Sequence, residues 1–453
     1  MADVKPLTRR SARCGTRLII SVLAITAGAC DKPIAPDVPP SPPALPVEWL
    51  KANAHPIRTL SVADRDFRDL EPLRLAIGNA RVVMLGEQSH GDGTTFHAKA
   101  RLIAFLHQEM GFDVLAWESG LYDVHRVWNQ VLAGEDVIAA SRQGIFGVWT
   151  SSEQALPTFD YVASTLRTTM PLELAGFDHQ FTGTLARDSV AAHVEAFAKR
   201  IGSSVTNDAE WPSALITLKS VAVIGPLPSK PSAADQLHLL RILGNLHRDA
   251  TARGNGDREA LFWTQGLVSI ASNAKKLWAA ESDRPSTDDA NTRDRQMAEN
   301  LVWLAREYYP NRKIIVWAAS SHVARSVQAL RSPSGTMPYA SGWTVHMGTE
   351  VYRELGSQMY SIGFTAAKGS HGRRGNPEQH IGPLVPGSLE DLFSQTSHTY
   401  AFLNFRNRSP GGEWLNDVST RAFGYQDLRG DWANVFDAII FTRDMVPSTV
   451  ASR

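Results

Sequence analysis

Three consecutive segments constrain the fold more than anything else in the chain. Arg81-Val-Val-Met-Leu-Gly86 is a short apolar run that ends in glycine. Thr95 to Gly111 sets Ala98, Leu102, Phe105, Leu106 and Met110 on one helical face, with Gly111 as the stop. Asp113-Val-Leu-Ala-Trp117 is a second apolar run. Strand, helix and strand in so short a span make a βαβ unit, whose strands lie parallel because the helix carries the chain back across the sheet. Similar runs recur at Leu172–Gly176, Lys313–Trp317, Met359–Thr365, Thr399–Leu403 and Phe436–Phe441. The expected fold class is therefore α/β, a mainly parallel sheet flanked by helices. Between about 185 and 310 the pattern changes. Gln236–His247, Arg258–Ala280 and Thr292–Tyr309 read as helices, which predicts an inserted helical subdomain.

The first residues follow different rules. Lys5, Arg9, Arg10, Arg13 and Arg17 precede the apolar run Leu18–Ala29, and Cys30 follows. That run is too short to span a bilayer as a helix and matches the core of a secretory signal peptide. Ala27-Gly28-Ala29-Cys30 resembles a bacterial lipoprotein cleavage box, with Ala27 where Leu is usual. Residues 1–29 are then a lipoprotein signal peptide, and Cys30 becomes the lipidated N-terminus of a protein anchored in the cell envelope. A plain signal peptide cut near Ala29 is the simpler alternative. Residues 30–47 hold Pro33, Pro36, Pro39, Pro40, Pro42, Pro43 and Pro46, which predicts an extended tether. The body is expected at 48–445.

Lys+Arg and Asp+Glu each number 46, so no basic excess exists to drive nucleic-acid binding. The two cysteines are Cys14 and Cys30, which leaves the body without a disulfide, a thiol nucleophile or a cysteine-ligated metal. G-x-S-x-G, H-E-x-x-H, G-x-x-x-x-G-K-[ST] and G-x-G-x-x-G are all missing, so the usual serine elbow, zinc and nucleotide signatures do not apply.

What remains is histidine and carboxylate at strand ends, where ligands bind in open α/β sheets. Gly86-Glu87-Gln88-Ser89-His90-Gly91 follows the first strand, and Glu118 follows the second. If these strands are neighbours, Glu87, His90 and Glu118 converge. His322 ends the run after Trp317, and Asp178 and His179 end another. Asp92 is expected only to cap the following helix. A histidine held by a carboxylate can take a proton from water near neutral pH. A divalent metal held by the same side chains would acidify the water instead.

The Gly86–Gly91 segment resembles the G-E-x-x-H-G signature of the erythromycin esterase family. The Lys99-Ala-Arg-Leu-Ile-Ala-Phe-Leu helix, Trp117-Glu118-Ser119, Phe146-Gly-Val-Trp149-Thr-Ser-Ser-Glu153, Asn291–Asn300 and Phe436–Phe441 are similar to that family in order and spacing, over roughly 60–445. The resemblance implies hydrolysis of an ester or macrolide lactone with no serine nucleophile. It makes His90 the base, Glu118 its partner carboxylate and Glu87 the first acid of the motif. His322 matches the second histidine of a late Trp-Ala-His-Asn-x-His motif, in which Ala319 and Ser320 replace the first histidine and the asparagine. Trp149 and Asp178 are expected to contact a small-molecule substrate. With Ala319 in place of an imidazole, no tightly held metal or other cofactor is expected. Two other readings stand beside this one: a haem- or iron-binding lipoprotein of a related fold, and an accessory protein of polysaccharide biosynthesis.

Overall fold

The computed structural model describes residues 46–253, 256–279, 287–406 and 408–452. The signal peptide, Cys30 and the tether up to residue 45 lie outside the described residues. In chain order the strands are β1 His55–Pro56, β2 Val82–Leu85, β3 Val114–Gly120, β4 Glu173–Asp178, β5 Ile314–Trp317 and β6 Met359–Arg373. They continue with β7 Asn376–His380, β8 Tyr400–Asn404, β9 Val418–Phe423, β10 Gln426–Gly430 and β11 Ala438–Met445. The main sheet runs β1-β8-β11-β6-β2-β5-β3-β4. From β11 to β4 every pairing is parallel. The β8 and β1 pairings are antiparallel, as is the return of β7 along β6.

Period-two alternation splits each central strand between two cores. Val82 and Met84 of β2, Val114 and Ala116 of β3, and Ile314 and Val316 of β5 face one core. Val83, Leu85, Leu115, Trp117, Ile315 and Trp317 face the other. Helices cover both faces, as the apolar runs require. Helix Gly93–Met110 covers the second face and ends at Gly111, whose φ of 71° is the left-handed cap. The stretch between β4 and β5 carries helices Thr184–Arg200, Trp211–Val221, Ala233–Arg253, Arg258–Ala279 and Thr287–Trp303. Several of their apolar residues, Val190, Leu239, Ile270 and Met297 among them, join the first core.

The structure revises several expectations. β2 and β3 are parallel but not adjacent, because β5 enters between them and pairs with both. Helix Pro46–Asn53 takes up the last two residues of the segment expected as a tether and buries Trp49 and Leu50. Proline is tolerated in a first helical turn, where its missing N–H would have no helical partner. Hairpin β9–β10 was not anticipated; it turns at Gly424 and Tyr425, both with φ near 60°. Among the described residues no helix is long and apolar enough to cross a membrane.

Candidate active site

The loop after β2 is held by close approach. A Cβ on Gly86 would lie 2.7 Å from Ser320 Oγ and 3.1 Å from the Ile362 carbonyl oxygen. Glu87 then turns into the protein and is fully buried. Its Oε1 accepts from His90 Nδ1 at 2.7 Å and Trp149 Nε1 at 3.1 Å. Its Oε2 accepts from Lys99 Nζ at 2.6 Å. Lys99, from the helix Gly93–Met110, is also fully buried. Its ammonium donates to the Ala318 carbonyl at 3.2 Å and lies 4.4 Å from the centre of the Trp317 ring. Burial holds the Lys99 pKa below its ordinary value, against the pull of Glu87. Glu87 faces three donors, so His90 Nδ1 carries a proton and Nε2 is the free nitrogen of the neutral ring. The His90 side chain is 34% exposed and meets Trp149 edge to face, with ring centres 5.4 Å apart.

A second cluster forms where β3 and β4 slip in register between Trp117 and Gly120. Glu118 accepts from the Ala319 backbone N–H at 2.8 Å and from Arg293 Nη2 at 2.8 Å. Arg293 also donates to Asp178 through Nη2 at 2.6 Å and Nε at 3.1 Å. His322 stands between two carboxylates, with Nδ1 2.8 Å from Asp294 and Nε2 3.2 Å from Glu118. Asp294 is held in turn by Trp343 Nε1 and the Met347 N–H. Burial alone would discharge His322, but Asp294 and Glu118 outweigh it and raise its pKa to about 10. Glu118 sits well below the usual carboxylate range, because His322 and Arg293 overcome its burial.

These placements change the expected roles. Glu87, not Glu118, is the carboxylate bonded to His90, because β5 separates β2 from β3. Glu118 is bonded instead to Arg293 and the Ala319 N–H. His322 is a fixed imidazolium at neutral pH, a hydrogen-bond donor and not a base. Trp149 and Asp178 are fully buried and bonded to Glu87 and Arg293. His179 stays outside the cluster: its Nδ1 meets Ser272 Oγ at 3.1 Å, and burial lowers its pKa to about 3. Asp92 stands at the helix N-cap, but its side chain caps nothing. It accepts from the Ser89 N–H at 2.7 Å and Tyr425 OH at 2.8 Å, bracing the loop after β2 against the β9–β10 turn.

Sequence reading passed over Lys99, Arg293 and Asp294 as site residues. Lys99 had a signal, since a lysine in a buried apolar helix needs a carboxylate. Arg293 and Asp294 lie in a charged stretch that reads as a solvated helix face. Among the described residues, no group of three His, Cys, Asp or Glu side chains is arranged to hold a metal ion. The donor set does not suit a divalent ion either, since Lys99 and Arg293 already occupy the cation positions at Glu87 and Glu118.

A family model described as erythromycin esterase matches residues 107–445. The chain belongs to the erythromycin esterase family. Its coarse chemistry is accordingly that of a hydrolase, acting on a small molecule. It is 23% identical over 425 residues to "Putative hydrolase YbfO" of Bacillus subtilis (strain 168), covering 89% of this chain and 91% of that one. It is 22% identical over 391 residues to an erythromycin esterase type II of Escherichia coli, covering 80% and 88%. A Bacillus cereus protein of known structure superposes with a TM-score of 0.72 at 18% identity, over 90% of this chain and 98% of that one. A mutant of the erythromycin esterase EreC in its open conformation gives 0.64 at 17% identity, over 87% and 98%. The structural matches establish a shared fold.

Proposed function

We propose that the protein hydrolyses a carboxylic ester or lactone with water activated by His90. The observation carrying this reading is the 2.7 Å bond from His90 Nδ1 to the buried Glu87 carboxylate. That bond points the basic Nε2 away from Glu87, on the one histidine of the two clusters with substantial exposure. Water would lose its proton to Nε2 as its oxygen attacks the carbonyl carbon. The imidazolium, stabilised by Glu87, would return the proton to the leaving alkoxide, giving acid and alcohol. Arg293 is a candidate donor to the carbonyl oxygen. Its Nη1 lies 3.1 Å from His322 Nε2, and when His322 is protonated these are two donors, so Nη1 keeps its hydrogen for an oxyanion.

Erythromycin and simple aryl esters are the first substrates to assay. His90→Ala should lower turnover by about 10²–10⁴-fold with the unfolding temperature retained. Near wild-type turnover in a folded variant would remove His90 from the mechanism. We also infer that lipid on Cys30 anchors the protein to the cell envelope, on the strength of the Ala27–Cys30 box and the prolines after it. Cys30→Ser should then release the protein from the membrane fraction or block its processing, as fractionation and mass spectrometry of the mature N-terminus would reveal.

A further inference from the structure

A cavity of about 700 Å³ opens between helices Leu121–Leu132, Thr184–Arg200 and Arg258–Ala279. It lies away from the catalytic loops. It reaches Glu173, the first residue of β4, and Arg312, just before β5. Asp178, at the catalytic end of β4, is five residues further on, about 16 Å along an extended strand.

Part of its wall is aromatic. Phe262, Trp263 and Tyr308 line it and are themselves buried. The His125 ring stacks on Phe262, with centres 3.8 Å apart and planes at 14°.

Its charge is unbalanced. Glu173 is engaged by Tyr309 OH and Arg312, and Glu259 by Arg200 at 2.9 Å. Arg126 is half-buried and has no hydrogen-bond or ion-pair partner among the described residues. Arg258 lies over the Tyr308 ring at 4.1 Å and only 3.7 Å at best from Glu173, with 57% of its side chain exposed. The two histidines add no compensating charge. Burial, then Arg126 and Arg258, lower the His125 pKa to about 3, and burial and Arg126 lower that of His193.

We propose that this cavity binds a planar aromatic carboxylate. The guanidinium groups of Arg126 and Arg258 take the carboxylate, and the ring lies against the aromatic side of the cavity, where the His125 ring covers Phe262. The volume lies in the range typical of small-molecule sites. Charge-assisted bonds to a partly desolvated arginine are among the stronger polar contacts a ligand can gain. A bare inorganic anion would leave the aromatic wall unused, and a neutral arene would leave Arg126 unpaired.

The test is titration calorimetry of the full chain with 2-naphthoate, set against 2-naphthamide and inorganic phosphate. One-to-one naphthoate binding is expected, at least about tenfold tighter than either comparison compound. Arg126→Gln should weaken it at least about tenfold. Arg258→Gln, on the exposed rim, should weaken it as well, and carries the test if Arg126→Gln does not fold. Absence of saturable naphthoate binding would overturn the proposal. So would equal affinity for the amide or phosphate. Affinity unchanged in folded Arg126→Gln and Arg258→Gln proteins would also overturn it, because naphthoate would then sit elsewhere, the catalytic cleft included.

Discussion

Lys99 shows how much of the loop after β2 depends on one side chain. It sits at zero exposure inside a helix buried along most of its length, where an ammonium is tolerated only beside a counter-charge. Glu87 supplies that charge, and the same carboxylate orients His90. Removing one member of a buried ion pair leaves the other uncompensated and typically costs about 3–5 kcal/mol. Lys99→Met keeps the stem's volume but leaves Glu87 with only Trp149 and His90 as donors. We expect a loss of stability in that range by chemical denaturation, with turnover falling alongside it. A change below about 1 kcal/mol would mean that solvent or relaxation already compensates Glu87, and that the pair is not what holds the loop.

At the scale of elements, the loop between β2 and its helix is wedged under two distant parts of the chain. The Gly91 carbonyl accepts from the Gly372 N–H at 3.1 Å and from the Ser448 N–H at 2.9 Å. A Cβ on Gly91 would lie 2.7–2.8 Å from Gly372 backbone atoms, which cannot swing aside as a side chain would. Gly91→Ala should therefore push the loop off β6, costing about 1–3 kcal/mol. It should also lower turnover more than so mild a change would elsewhere, because His90 moves with the loop. Wild-type turnover in this variant would show that the β6 contact does not position His90. The elements themselves were legible to different degrees. Central strands declared themselves as apolar runs, because a parallel strand is buried on both faces. Their order in the sheet did not, since nothing in Ile314–Trp317 says that it returns from the helical segment to enter between β2 and β3. Glu87 and His90 were legible as neighbours three residues apart on one loop, but not as bonded partners, a role the sequence assigned to Glu118. The links from Arg293 to Asp178 and Glu118 were not, because they join positions 115 and 175 residues apart. Hairpin β9–β10 escaped because β9 buries Thr420 and Arg421 among its apolar residues, with Thr420 bonded to the buried Glu390.

The whole molecule carries a pH dependence that follows from what it buries. Burial raises the Asp92 pKa to about 7, against the Ser89 N–H and Tyr425 OH that favour its ionised form. Burial likewise raises Asp123 to about 8, although the Thr182 and Ala186 N–H groups bond to it. His322, buried but held by Asp294 and Glu118, is raised to about 10. Each of these groups binds its proton more tightly folded than unfolded, so its stabilising contribution is complete below the unfolded pKa and is lost as pH rises through the folded one. Glu118 and Asp178 work in the other direction. Their pKa values are depressed, Glu118 by His322 and Arg293 and Asp178 by Arg293, each against its own burial. Their contribution is present above the ordinary carboxylate range and lost on acidification. The unfolding temperature should therefore be highest near pH 4 and fall as pH rises, with Asp92 and Asp123 contributing from about pH 4 up to about 7 and 8 and His322 from about 6.5 to 10, each weakening the fold by up to about 1.4 kcal/mol per pH unit over its window. Asp92→Asn separates the contributions. The amide can accept from the Ser89 N–H and donate to the Tyr425 oxygen, so both contacts persist without a titrating group. That variant should lose part of the decline between about pH 4 and 7 and keep the decline from about pH 7 to 10. A melting temperature that is flat or rising from pH 6 to 10 in the wild-type protein would show that these three groups do not hold their protons as their surroundings require.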